Sequence, residues 1–349
     1  MRTKSSFLTT TYGALIFSAS MVLWVACAPE KSNSKESGNG SEHSVEASDE
    51  ESLNRAIVDN PNDPNPYHQR ALWKLSLGQP QGAFDDWGLA LKADSTFAWA
   101  WEGRSDMLYR MQKFEECMNE LNQCIRWAPA SSICLLKRAE ILIHLDQFEK
   151  AFTDLNAALR SNDQLHEAYW MKGKIYAEIG EMDKAQSSFQ TAVEVNPEFF
   201  DGFVTLGVFM AQQQNPMAVE YYQSAMELRP YAIEPIYNLA MYLQETGRFD
   251  ESLALYNRIL ELDPSNATAS FNIGFIHLEY FSQYEEAVIW FSNAIEHLPY
   301  YHQAFYNRGL AQESLGLTDL AIADYSQALK FKPDYTSAAL AKDRALKSK

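Results

Sequence analysis

The sequence predicts an all-α fold: a solenoid of eight helical hairpins stacked side by side, with a capping helix at each end. Four columns of residues predict it. A small residue returns as Ala71, Ser105, Ala139, Gly173, Gly207, Ala240, Gly274 and Gly309, at steps of 34, 34, 34, 34, 33, 34 and 35. A second small residue returns as Ala83, Cys117, Ala151, Ala185, Ala218, Ser252, Ala287 and Ala321. Four positions after each stands a bulky one: Trp87, Leu121, Leu155, Phe189, Tyr222, Tyr256, Phe291 and Tyr325. A stop position returns as Ser95, Pro129, Asp163, Pro197, Pro230, Pro264, Pro299 and Pro333. Self-similarity at such a period marks a repeat architecture, in which each unit packs only on its neighbours.

Each column has a physical reason. Two antiparallel helices approach closely where a small residue faces a large one, so the alternation fixes their crossing point. Proline cannot continue a helix and pushes the preceding residue away from helical angles. Gly78, Gly180, Gly247 and Gly316 stand between the two halves of their units, where a left-handed residue ends the first helix. The fifth unit is one residue short near Asn215–Pro216 and the seventh one residue long near Phe281–Gln283, both at the inter-helix turn.

From the amino terminus, residues 1–27 read as an export signal. Arg2 and Lys4 precede an apolar run from Tyr12 to Ala26, short for a membrane span of about 20 residues. The run ends in Leu23–Cys27 and resembles a bacterial lipoprotein signal peptide, with Trp24 a departure from its usual small aliphatic. That resemblance implies lipid on Cys27 and hence a membrane anchor; an uncleaved anchor and plain secretion are the alternatives. Residues 28–48 hold almost nothing to bury and read as a disordered tether. Residues 49–63 read as a lone second helix that caps the first repeat. The repeats follow over 64–333, in units of about 64–97, 98–131, 132–165, 166–199, 200–232, 233–266, 267–301 and 302–335. Residues 334–349 read as an amphipathic closing helix, with Ala338, Leu340, Ala341, Ala345 and Leu346 set among Lys342, Arg344 and Lys347.

With its columns laid out, the stretch Pro64–Tyr335 resembles the tetratricopeptide repeat (TPR) family. Cys117, Cys124, Ser252 and Ile259 replace that family's alanines, and Ser95 and Asp163 its prolines. The resemblance implies a right-handed α-solenoid whose first helices line a concave face that binds extended peptides.

One internal comparison tests the register. Arg70–Asp86, Arg104–Glu120, Arg138–Asp154 and Arg308–Asp324 are opposite charges 16 apart. The matching pairs in the fifth to seventh repeats are Leu206–Tyr221, Leu239–Leu255 and Ile273–Trp290, all apolar. A half-buried charge is costly unless paired, and an apolar pair avoids that cost, so these positions are expected to touch. Lys172 with Ser188 is the exception.

Composition narrows function. A net charge of -17 disfavours nucleic acid, which needs clustered Lys and Arg against phosphate. The sequence carries no Gly-rich phosphate loop, no His-Glu-x-x-His and no nucleophile elbow. The reading is no enzyme, no catalytic residue and no cofactor. His297 and His302 lack a third ligand, so no metal site is expected. Cys117 and Cys124 lie seven apart on one helix, about 10 Å by helical rise and too far for a disulfide. A Cys124–Cys134 bond is open to an exported chain. Buried small thiols are the preferred reading.

The family's groove, carried onto this sequence, takes in Trp99, Glu102, Asp106 and Tyr109, then Glu140, Ile143 and His144, then Glu167, Trp170, Lys174 and Glu178. Toward the carboxyl end Asn238, Asn272 and Asn307 hold one repeat position, each after an aromatic: Tyr237, Phe271 and Tyr306. Met241 and Phe275 project nearby. This resembles the asparagine ladder in the TPR part of the O-linked N-acetylglucosamine transferase, which implies amides that pair with an extended peptide backbone. Tyr-Asn here is equally a habit of average repeats. The function expected is a lipid-anchored scaffold of a bacterial cell envelope, outer-membrane in type, binding a protein or peptide as an adaptor in envelope assembly. The alternatives are a glycan binder using Trp99, Trp170 and Tyr237, or an accessory subunit of an enzyme on another chain. The sequence does not set the oligomeric state.

Overall fold

A computed structural model describes residues 50–349; the export signal, Cys27 and the tether lie outside the described residues. Eighteen α-helices and no strand occur among the described residues. The chain divides into two compact units at Glu181/Met182.

The first unit opens with α1 (Glu50–Asp59). Three hairpins follow: α2 (Pro64–Ser76) with α3 (Pro80–Ala93), α4 (Ala98–Arg110) with α5 (Phe114–Trp127), and α6 (Ser132–His144) with α7 (Phe148–Ser161). The unit closes with α8 (His166–Glu178). The second unit opens with α9 (Met182–Val195). Four hairpins follow: α10 (Phe200–Gln212) with α11 (Ala218–Leu228), α12 (Ile233–Glu245) with α13 (Phe249–Leu262), α14 (Ala267–Glu279) with α15 (Tyr284–His297), and α16 (His302–Ser314) with α17 (Thr318–Phe331). It closes with α18 (Thr336–Ser348). Each unit is thus an α-solenoid segment of helical hairpins, and no helix among the described residues is long and apolar enough to cross a membrane.

The columns do what their sizes demand. Leu121, Leu155, Tyr256, Phe291 and Tyr325 are fully buried. A Cβ placed on Gly309 would stand 2.6 Å from the Tyr325 ring, and one on Gly207 the same distance from Tyr222. Only a residue without a side chain lets these helices cross at that depth. Second helices end in a recurring turn, in which Asp94, Asn162, Asn196 and Asp263 each accept a hydrogen bond from the N–H two residues on.

All four charge pairs are made, each as a two-pronged contact. Arg308 Nε and Nη2 donate to Asp324 at 2.7 and 2.8 Å, and Arg70 donates to Asp86 at 2.9 and 2.6 Å. Burial works against the Asp86 charge, but hydrogen bonds from Arg70 and Lys74 outweigh it and hold the carboxyl below its usual range. Ile273 is buried with Trp290 packed on the same cluster, the apolar answer to the same geometry.

Most of these cations also reach back to the preceding second helix. Arg70 Nη1 donates to Asn54 at 2.6 Å, Arg138 Nη1 to Asn122 at 2.7 Å and Arg308 Nη1 to Ser292 at 2.9 Å. Lys172, the exception in the series, keeps this backward bond to Asn156 at 3.1 Å. A polar residue 16 positions before each of these four cations therefore ties one repeat to the last. Pairing within a hairpin does not reveal this bond, because its partner lies in the preceding repeat.

Three findings depart from expectation or go past it. Cys124 and Cys134 are joined as a disulfide, with Cα atoms 6.3 Å apart, where free buried thiols were preferred. The repeat junction brings the last turn of α5 onto the first turn of α6, which spacing alone does not reveal. Cys117 stays free, and burial pushes its thiol up to about 11. The turn position is left-handed in non-glycine residues too: Gln112, Asp146, Gln214 and Ser282 have φ of 54–59°. Finally, α11 begins only at Ala218, where Asn215 accepts from the Met217 N–H, so the short turn shortens the helix behind it.

Candidate functional site

Within each unit the first helices of adjacent repeats touch: α4 with α6, α6 with α8, α10 with α12, α14 with α16, and α16 with α18. No two second helices pack as extensively, so the row of first helices is the inner, closer row.

In the first unit this row carries three successive groups. Trp99 on α4 is 46% exposed and lies beside the His68 ring at 6.3 Å. The Glu102 carboxylate, one turn on, makes no ion pair or hydrogen bond among the described residues. Burial, with Asp106 and Glu140 adding to it against Lys137, pushes its carboxyl above the usual range. Lys137 on α6 bridges Asp106 at 2.5 Å and Glu140 at 3.1 Å. Burial opposes the Lys137 charge, but Glu140 and Asp106 outweigh it and hold its pKa high. On α8 the Lys174 ammonium sits 4.5 Å from the centre of the Trp170 ring. Burial pulls Lys174 down, with Glu140 as a partial counterweight.

In the second unit the three asparagines are not equivalent. Asn238 is half-buried and its side chain makes no hydrogen bond among the described residues. Asn272 is 8% exposed; its amide donates to the Tyr237 hydroxyl at 3.4 Å and lies 3.8 Å from Met241 Sδ, both in the preceding repeat. Asn307, also 8% exposed, donates to Gln303 O of its own helix at 3.0 Å. Two of the three thus each have an amide donor engaged within the protein.

The aromatic column belongs mainly to the packing. Tyr237, Phe271 and Tyr306 lie 5.5–6.1 Å from Tyr256, Phe291 and Tyr325, the bulky residues of their own second helices. Phe271 also meets Tyr301 at 5.0 Å and stacks near Phe275 at 6.4 Å, and Tyr306 meets Tyr335 at 5.1 Å. Burial pushes the Tyr301 and Tyr335 hydroxyls up to about 12. Tyr301 and Tyr335 were not singled out from sequence. Their signal was present as a fifth column, an apolar or aromatic residue two places past the stop: Phe97, Leu165, Phe199, Tyr301 and Tyr335. Among the described residues no three His, Cys, Asp or Glu cluster as metal ligands would.

With this geometry in place, comparison with known proteins is direct. The family pattern described as "Tetratricopeptide repeat" matches residues 302–335 and 166–199, and one described as "TPR repeat" matches residues 243–279. Over 83 residues the chain is 31% identical to the UDP-N-acetylglucosamine–peptide N-acetylglucosaminyltransferase of Giardia intestinalis (strain ATCC 50803 / WB clone C6). That match covers 24% of this chain and 6% of the length of that protein. Among solved structures, the type IV pilus biogenesis factor PilW is 18% identical with a TM-score of 0.49, over 60% of this chain and 97% of PilW. YrrB, described as a TPR protein with an unusual peptide-binding site, is 22% identical with a TM-score of 0.40, over 64% of this chain and 97% of YrrB. MamA is 20% identical with a TM-score of 0.44, over 49% of this chain and 93% of MamA.

Proposed function

Since the chain carries tetratricopeptide repeats, an architecture that generally serves as a non-catalytic interaction scaffold, we propose that it is a binding scaffold for a protein or extended peptide, exported and held to a bacterial envelope membrane by lipid on Cys27. The observation that carries the binding reading is the inner row of the first unit. There an exposed Trp99, a half-buried Glu102 whose carboxylate has no ion pair among the described residues, and the half-buried Trp170–Lys174 pair lie on α4 and α8, flanking the Asp106–Lys137–Glu140 bridge. A carboxylate lifted by burial is relieved when a cation approaches, so this face favours a polypeptide with a Lys or Arg beside an apolar residue. Trp99 supplies contact area at low entropy cost. In the second unit the half-buried Asn238 is the amide best placed to meet a peptide backbone, because Asn272 and Asn307 are buried and each engages a donor internally.

Export is supported by the Cys124–Cys134 bond, since disulfides persist in oxidising compartments and are rare in the cytosol. A role as an adaptor in envelope assembly is the reading of the lipid signal and the repeats taken together.

Two measurements test the proposal. Labelled palmitate should enter the wild-type protein in a bacterial host and not Cys27→Ala; equal labelling of both refutes the anchor. Partners captured from detergent-solubilised envelope should be lost from the double variant Trp99→Ala/Glu102→Gln. Unchanged recovery removes the inner row of the first unit as the binding face.

A further inference from the structure

The backward bond that ties one repeat to the last is broken in one place. Arg104 sits in the column of Arg70, Arg138 and Arg308, and pairs with Glu120 through Nε at 3.0 Å and Nη2 at 2.6 Å. Sixteen positions before it, where Asn54, Asn122 and Ser292 stand in the other repeats, is Gly88. Arg104 Nη1 therefore makes no hydrogen bond among the described residues, while each counterpart has a neutral acceptor at 2.6–2.9 Å.

The missing side chain leaves a dent of about 280 Å³ between α3 and α5, over α4. Gly88 and Arg104 form its floor, Trp101 one wall, and Asn119, Glu120 and Gln123 the other. Asn119 and Gln123 are exposed and make no hydrogen bonds among the described residues. The guanidinium is held by Glu120 on one edge and by the Phe84 ring, 4.1 Å from its carbon, on one face. Its free donor is thus fixed in direction before anything binds, which lowers the cost of ordering a ligand.

Size and charge select the ligand. The dent is smaller than the ~300–1,000 Å³ of small-molecule and cofactor sites, and suits a single side chain. Glu120 already neutralises Arg104, so a second carboxylate would meet a like charge at close range. The chain answers the same donor elsewhere with neutral groups, twice with asparagine. A carboxamide fits on both sides: its oxygen accepts from Arg104 Nη1, and its NH₂ donates to the side-chain oxygen of Asn119 or Gln123. The corresponding dent one unit over, near Leu239, Leu243 and Leu255, is of about 260 Å³ and has an aliphatic floor where Arg104 would stand. Its one guanidinium, Arg248, stands at the start of α13 rather than in the Arg104 column and is paired with Glu251 through Nε and Nη2.

The geometry points to the dent over Arg104 as a subsite for one carboxamide side chain, Asn or Gln, of a partner polypeptide. It lies on the second-helix side of the first unit, a surface separate from the inner row, so the two bind independently. The probe is N-acetyl-glutamine methylamide, titrated into the purified protein and followed by the Trp101 indole N–H resonance, whose donor bonds Ser95 O at 2.9 Å. A saturable shift is expected. Gly88→Asn should weaken probe binding at least tenfold, because it supplies the acceptor internally. A Cβ at Gly88 meets only Arg104 Nη1, at 3.2 Å, so the variant should fold with an undiminished thermal midpoint. Gly88→Ala, which narrows the dent without adding an acceptor, should weaken the probe less than Gly88→Asn. The assignment is overturned by the absence of a saturable shift, by N-acetyl-glutamate methylamide binding as tightly, or by a folded Gly88→Asn that binds the probe as wild type does.

Discussion

Replacing Arg308 by leucine isolates the energetic logic of the charge column. The guanidinium makes two bonds to Asp324 and one to Ser292. The Asp324 side chain is 8% exposed and that of Arg308 20%. Stranding a fully buried charge costs about 3–5 kcal/mol. Partial exposure of the site lets water reach the carboxylate, which lowers the expected loss for Arg308→Leu to about 2–4 kcal/mol. Asp324→Leu added to it removes the stranded charge and rebuilds the apolar pairing that the chain itself uses at Ile273–Trp290. The double variant should recover at least half of the loss. The assay is native-state hydrogen exchange read at α16 and α17, with the urea midpoint as a second measure. Repeat arrays open locally, so a global midpoint alone would dilute an effect near the end of the chain. A double variant less stable than Arg308→Leu would refute the idea that Arg308 serves as the counter-charge of Asp324.

Three further outcomes follow from other sites. Gln112→Gly and Ser282→Gly should each raise the urea midpoint by the equivalent of roughly 0.5–1 kcal/mol, since both residues hold left-handed backbone that costs an L side chain about 1–2 kcal/mol, partly offset by glycine's entropy. Gly309→Ala should lower it by about 1–3 kcal/mol, because the added carbon would press on the Tyr325 ring; a neutral result would mean that the α16–α17 pair slides apart freely. Glu102→Gln should raise the thermal midpoint at pH 7. Folding lifts this carboxyl, so the folded protein holds the proton more tightly, and stability falls as pH rises through the raised value. The gain should vanish near pH 4, where both states are protonated; a gain equal at both pH values would assign the effect to something other than charge.

The hairpins were legible because their signals are steric and local. Gly207 against Tyr222 and Gly309 against Tyr325 sit at fixed offsets along one chain, so a column in the sequence is a contact in space. Charge pairs such as Arg138–Asp154 were legible for the same reason. What escaped depends on the next repeat. The backward bond from Arg138 to Asn122 links residues of different hairpins, as does the Cys124–Cys134 disulfide. Left-handed turns at Gln112 and Asp146 carry no glycine to announce them; the helix ends there close through backbone bonds from Lys113 N–H to Leu108 O and from Gln147 N–H to Leu142 O. Burial of Asn272 and Asn307 was equally hidden. Asn272 turns toward Tyr237 of the preceding repeat while Asn307 turns back on its own helix, though both occupy one column.

A stack of hairpins can unravel from either end, one at a time, much as a column of coins is lifted from the top. The Cys124–Cys134 bond falls between hairpins, joining α5 to α6, rather than inside one. Fraying that starts at α1 can therefore peel away the first repeat, but the second cannot leave without dragging the third. A protease working inward from the amino-terminal side should pause there, and a reducing agent should let it continue.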